Sequence, residues 1–72
     1  MKRASDPVTL TKREKEIMTL VASGVKQKKI AADLGVTYET VQTHFKNVRL
    51  KLNAMNTVHA VTIAVAKHLI II

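Results

Sequence analysis

Seventy-two residues make one small domain, close to the lower limit of what folds without a covalent or metal staple. There is no cysteine, so neither a disulfide nor a cysteine-based zinc site supports it, and no run reaches the roughly 18 apolar residues that a membrane span needs. Twelve lysines and arginines against five acids give a formal net charge of +7, which in so short a chain points to a polyanionic partner. Nucleic acid is favoured over a membrane surface because lysines gather in the middle of the chain. One proline, two glycines, one tyrosine and one phenylalanine favour helices over a sheet.

Met1 to Val8 is polar and basic, ends in Asp6-Pro7, and reads as a flexible arm or the end of a linker over 1–8. It has no apolar run of the kind that makes a signal peptide, and a cytoplasmic protein is expected. The folded domain is expected over 9–72. Thr11-Lys12-Arg13-Glu14 has the spacing of a capping box, in which Thr11 accepts the Glu14 amide and Glu14 accepts the Thr11 amide. A first helix follows from Lys12 to Ala22 and stops before Gly24. Its core stripe is Ile17, Leu20 and Val21, closed at the ends by Leu10 and Val25. Glu16 and Asp33 balance surface charge.

The second helix is expected from Gln27 to Leu34, burying Ile30, Ala31 and Leu34. Gly35-Val36 makes a turn, and Thr37 caps a third helix. On that helix Val41, His44, Phe45, Val48 and Leu52 fall on one side, while Glu39, Gln42, Thr43 and Lys46 fall on the other. Asn53 is suited to a left-handed end. Asn56 caps a fourth helix from Thr57 to His68. That helix has two apolar sides: Val58, Val61, Ala64, Val65 and Leu69 form one stripe, expected in the core, and Ile63, Ala66 and Ile70 form the other. A monomer of this size buries only one of them, so Ile63, Ala66 and Ile70 are expected to pair with a second copy in a homodimer. Met18 and Met55 are expected to fill gaps in the core.

The most informative constellation is Ala31, Gly35 and Val41, spaced by four and then six positions. Two helices crossing around a short turn need a small residue where they touch, a residue that tolerates a left-handed backbone in the turn, and an aliphatic anchor on the second helix. This is the geometry of a helix-turn-helix, expected over 27–46, whose second helix lies in the major groove of double-stranded DNA.

Lys26, Lys28 and Lys29 sit at the start of the second helix, where the helix dipole already places positive charge and where lysine is a poor cap. A DNA phosphate bound by both the amides and the ammonium groups resolves that conflict, against the alternative of a solvated basic face. Gln42, Thr43 and Lys46 are the base-reading candidates: glutamine pairs with adenine, lysine donates to guanine, and a threonine methyl packs on thymine. Thr37 and Thr40 near the helix start, and Asn47 and Lys51 further along, suit phosphate. His44 is expected half-buried at the edge of the core. His59 and His68 have no cysteine or carboxylate partner at ligand spacing, so no metal is expected. There is no glycine-rich phosphate loop, no nucleophile beside a base and no carboxylate pair, so neither catalysis, a cofactor nor a small-molecule ligand is expected in this domain.

From Leu10 to Ile70 the chain resembles the LuxR-type (GerE-type) DNA-binding domain of bacterial transcription regulators. The resemblance is carried by LTKRE, by Gly24 with KKIA, by LGVTYETVQTH, and by KLNAMN with HAV. It implies a four-helix domain with a central helix-turn-helix that dimerises on DNA through its last helix, with base contacts at the positions of Gln42, Thr43 and Lys46. RNA polymerase is a further expected partner. KLNAMNTVHAV and the Leu-Ile ending are most similar to the quorum-sensing branch, whose domain follows an acyl-homoserine lactone sensor. The chain departs from the family pattern in having Lys12 for Pro, Lys26 for Ser or Thr, Lys29 for Glu, Asn53 for Gly and Val58 for Thr. Its Arg49-Leu50 pair reverses the usual order, which leaves Leu50 exposed.

The expectation is therefore an all-α, sequence-specific double-stranded DNA-binding domain that is not an enzyme and does not enter a membrane. The rival reading is a protein-interaction module that works through helix four, with incidental affinity for DNA. An RNA-binding domain is less well supported, because there is no aromatic platform for unstacked bases.

Overall fold

The computed structural model describes residues 9–71, and within them the chain forms four α-helices and no strand. These are α1 (Lys12–Ala22), α2 (Gln27–Leu34), α3 (Tyr38–Leu52) and α4 (Thr57–Ala66). The first three spans are those that the capping and periodicity signals predict. The arm expected over 1–8 lies outside the described residues.

Three of the four helices begin on a side-chain cap. Thr11 Oγ1 accepts the Glu14 amide at 3.1 Å while Glu14 Oε1 accepts the Thr11 amide at 2.8 Å, completing the capping box. Thr37 Oγ1 accepts the Thr40 amide at 3.1 Å, and Asn56 Oδ1 accepts the His59 amide at 2.8 Å. The exception is α2, whose Lys26 cap makes no side-chain hydrogen bond. All four helices end alike. A residue with positive φ (Gly24, Gly35, Asn53 or His68) reverses the chain, and the following amide returns to a carbonyl five residues back: Val25 to Leu20, Val36 to Ala31, Ala54 to Arg49 and Leu69 to Ala64, at 2.8–3.0 Å.

Helix α3 is the hub, touching each of the other three. Val41, Phe45 and Val48 are its fully buried stripe, packed with Ile17 and Met18 of α1 and Ile30 and Ala31 of α2. Burying side chains of this size contributes roughly 1.5–3 kcal/mol each, the main term that holds so small a domain together.

Helix α4 departs from expectation in two ways. It ends at Ala66 rather than His68, because the left-handed backbone at His68 (φ 58°) folds the chain back and carries Ile70 into the core, 6% exposed. Its inward face is also turned by about one residue, or 100°, from the predicted stripe. Ala60 and Ala64 are buried, Ile63, Val61 and Val65 are half-buried, and Val58 is 77% exposed. Every side of α4 is apolar, so periodicity alone does not select one. Close packing against α3 does, because the two alanines let the helix backbones approach. Met55, expected in the core, is 87% exposed in the turn between α3 and α4, where its amide donates to His59 Nδ1 at 3.0 Å. Among the described residues no helix is long and apolar enough to cross a membrane.

Candidate nucleic-acid interface

The α2–turn–α3 unit is built around the three residues singled out from the sequence. Ala31 and Val41 are buried at 5% and 0% exposure, and Gly35 turns the chain at φ 69°. A Cβ added at Gly35 would meet nothing within 4 Å, so its backbone conformation, and not a lack of space, is what favours glycine there. Thr37 then starts α3, and its Oγ1 lies 2.9 Å from Thr40 Oγ1, with Thr37 exposed and Thr40 half-buried.

With Val41, Phe45 and Val48 turned inward, Glu39, Thr43, Lys46 and Asn47 project from α3 into solvent. Thr43 is exposed and donates its hydroxyl to the Glu39 carbonyl at 3.0 Å. Lys46 has no ion-pair partner among the described residues. Leu50, two turns beyond Thr43 on the same side, is 70% exposed, as the reversed Arg49-Leu50 pair predicts. Gln42 differs from these residues. It is half-buried, and its amide nitrogen donates to Gln27 Oε1 on α2 and, at 2.7 Å, to Tyr38 Oη one turn earlier on α3.

That contact brings the start of α2 against the first turn of α3. Lys28 Nζ stands 5.9 Å from the centroid of the Tyr38 ring, and Lys26, Lys28 and Lys29 are all exposed. Lys29 Nζ is 3.3 Å from Asp33 Oδ2, a solvated pair one turn apart that is worth a few tenths of a kcal/mol. With no side chain capping α2, its first amides point outward beside three ammonium groups.

Lys51 is placed differently from its neighbours. Its Nζ donates to Glu14 Oε1 at 2.7 Å, joining α3 to α1 across 37 positions of sequence. Among the described residues Glu14 is the one charged residue that is buried. Burial pushes its carboxyl up, but the Lys51 ammonium and the Thr11 amide outweigh that and hold it below the ordinary glutamate value. Beside the pair, Thr11, His44, Asn47 and Leu50 line a shallow depression. Sequence reasoning assigned Glu14 to the cap alone and missed Gln27 and Tyr38. The Tyr38–Gln42 spacing of one helical turn was a readable signal, whereas the Gln27 and Lys51 partners depend on how the helices cross.

The residues expected on the outer face of α4 are split. Ala66 is exposed, Ile63 is half-buried against the core and Ile70 is inside it. The exposed side of α4 instead carries Val58, Thr62 and Ala66. Among the described residues no three histidine, aspartate or glutamate side chains gather as a metal site would require.

Comparison with known proteins places this arrangement. The family model described as bacterial regulatory proteins, luxR family, matches residues 8–64. The chain is 40% identical over 62 residues to the transcriptional regulatory protein LiaR of Bacillus subtilis (strain 168), covering 86% of this chain and 29% of that protein. It is 39% identical over 69 residues to the response regulator protein VraR of Staphylococcus aureus, covering 96% and 33%. Among solved structures, Escherichia coli SdiA superposes with a TM-score of 0.84 at 36% identity over 92% of this chain and 28% of that one. VqmA of Vibrio cholera, in a complex with ligand and DNA, superposes with a TM-score of 0.77 at 26% identity over 90% and 28%. The chain thus spans about a third or less of the length of each of these proteins. It belongs to the luxR family of bacterial regulatory proteins and has that family's helix-turn-helix DNA-binding fold.

Proposed function

We propose that this chain is the sequence-reading part of a transcription regulator, with α3 in the DNA major groove and the lysines of α2 on the flanking phosphates. The observation that carries the reading is the junction of the two helices. Lys28 over Tyr38 and Gln27 against Gln42 make one continuous surface of the uncapped, basic start of α2 and the outward face of α3. Thr43 and Lys46 lie on the part of that surface free to meet base edges, with Gln42 at its border. Lys26, Lys28, Lys29, Thr37, Thr40 and Asn47 surround it as phosphate ligands. Lys51, its charge held by Glu14, belongs to this set more weakly than its neighbours.

The domain dimerises on DNA through α4, and its outer face of Val58, Thr62 and Ala66 makes the contact that Ile70, being in the core, cannot. RNA polymerase is a further partner in this reading. The chain spans 29% of LiaR and 33% of VraR, so in these relatives the matching segment is one part of the regulator.

The test is a pair of titrations with a duplex selected by the protein from a randomised library and with a scrambled duplex. Lys46→Ala is expected to weaken the selected duplex by about tenfold, equivalent to roughly 1–3 kcal/mol of discrimination, and the scrambled one far less. Lys26→Gln is expected to weaken both alike and to flatten the slope of log affinity against log salt by about 0.9. Equal affinity for the two duplexes with wild-type protein, or binding indifferent to salt, overturns the reading in favour of an interaction module working through α4.

A further inference from the structure

We infer that Gln42 offers DNA its amide oxygen alone, because Gln27 and Tyr38 occupy both hydrogens of its nitrogen, and that it therefore reads the exocyclic amino group shared by adenine and cytosine. This rests on the assignment of Gln42 to the base-reading surface.

A glutamine side chain has two donor hydrogens on nitrogen and an accepting oxygen. The Gln42 nitrogen donates once to Gln27 Oε1 and once to Tyr38 Oη at 2.7 Å. Its oxygen accepts no hydrogen bond from the described residues. The two partners come from different elements, Gln27 from the first turn of α2 and Tyr38 from the first position of α3, so the helix-turn-helix itself fixes the carboxamide plane. Lys28 Nζ, 5.9 Å from the centroid of the Tyr38 ring, adds a cation–π contact to the same phenol.

The usual glutamine–adenine pairing is bidentate: the amide nitrogen donates to N7 while the oxygen accepts from the N6 amino group. Here that donor is already committed. Redirecting it would leave the half-buried Gln27 oxygen short of a partner, and losing a hydrogen bond of this kind weakens binding. What remains is one fixed acceptor. In the major groove it meets a donor on adenine (N6) or cytosine (N4), and an opposing acceptor on guanine (O6) or thymine (O4). Gln27 and Tyr38 are thus positioning residues that relax adenine recognition into a choice of amino over keto bases.

The experiment is duplex selection from a randomised library by the 72-residue chain and its variants, with circular dichroism to confirm the fold. The position read by Gln42 is the one whose preference disappears in Gln42→Ala. There the wild type is expected to accept adenine and cytosine within about threefold of each other, each roughly tenfold above guanine and thymine. Gln42→Glu, whose carboxylate only accepts, keeps that pattern while binding all duplexes less tightly. Gln27→Leu combined with Tyr38→Phe frees the nitrogen, and the preference narrows to adenine, about tenfold over cytosine. If that double variant does not fold, the Gln42→Glu arm decides. Adenine-only selection by the wild type, loss of the preference in Gln42→Glu as complete as in Gln42→Ala, or a folded double variant that still treats adenine and cytosine alike each overturns the inference. If Gln42→Ala changes no position, Gln42 touches no base, and the base-reading assignment falls together with what is built on it.

Discussion

Glu14 does two things with one oxygen. Oε1 accepts the Thr11 amide that opens α1 and the Lys51 ammonium that reaches over from α3. Its carboxyl titrates below its ordinary value in the folded state, so the unfolded chain binds the proton more readily. The stability this confers is complete above the unfolded glutamate value of about 4.3 and is lost as pH falls through the folded value. Glu14→Gln should therefore flatten the acid limb of a stability–pH curve below about pH 5, as followed by urea unfolding at a series of pH values; an unchanged limb would place the acid sensitivity elsewhere. Lys51→Met leaves the buried carboxylate without its cation and should cost about 2 kcal/mol at neutral pH by the same unfolding measurement. The 37% exposure of the Lys51 side chain keeps the loss below that of a fully buried pair. The capping half of this arrangement is legible in the sequence, since a threonine three positions before a glutamate at a helix start has one natural geometry. The Lys51 half is not, because 37 positions separate the partners and only the crossing of α1 and α3 joins them.

At the scale of elements, the ends of the helices were the most readable features. Thr11, Thr37 and Asn56 cap, and Gly35 and Asn53 reverse the chain, for reasons that act within a few residues and leave plain signals. His68 leaves no such signal, yet it takes the same left-handed conformation as the glycines (φ 58°), and α4 consequently stops two residues before the predicted end. A Cβ in that conformation strains the backbone by about 1 kcal/mol. His68→Gly should raise the stability of the domain by roughly 0.5–1 kcal/mol, and Gly35→Ala should lower it by a similar amount, both read from thermal or urea unfolding. A destabilised His68→Gly would mean that the imidazole makes a contact worth more than the strain. The orientation of α4 was the least readable feature. A helix apolar on every side has no periodicity to orient it, and the deciding residues were the smallest, Ala60 and Ala64, not the valines that dominate a hydrophobicity pattern.

For the whole molecule, the exposed lysines at the start of α2 and the exposed apolar strip of α4 lie on different elements. The lysines of α2 meet the outward face of α3, whereas α4 leans chiefly on α3 and exposes Val58 and Ala66 to solvent, with Met55 exposed in the turn before it. KLNAMNTVHAV, which resembles the quorum-sensing branch, spans this turn and helix start. Yet the response regulator VraR is 39% identical over 69 residues, so the packing of α4 on α3 constrains that segment without selecting one branch of the family. A twofold operator needs two recognition helices about one duplex turn apart, roughly 34 Å, and the self-association of α4 proposed above would supply that symmetry. The strip is small, so the free chain should be largely monomeric at micromolar concentration and pair when two half-sites hold it. Ile63 is half-buried against the core, so a charge there would confound folding with association; Val58, 77% exposed, is the cleaner probe. Val58→Glu should retain the wild-type circular dichroism and bind a single half-site within about twofold of wild type, while losing cooperative filling of a two-site duplex in gel shifts. If cooperativity survives Val58→Glu and Ala66→Glu alike, the twofold contact is made elsewhere on the molecule. If either variant unfolds, the strip belongs to the core, and the burial that orients α4 has been misjudged.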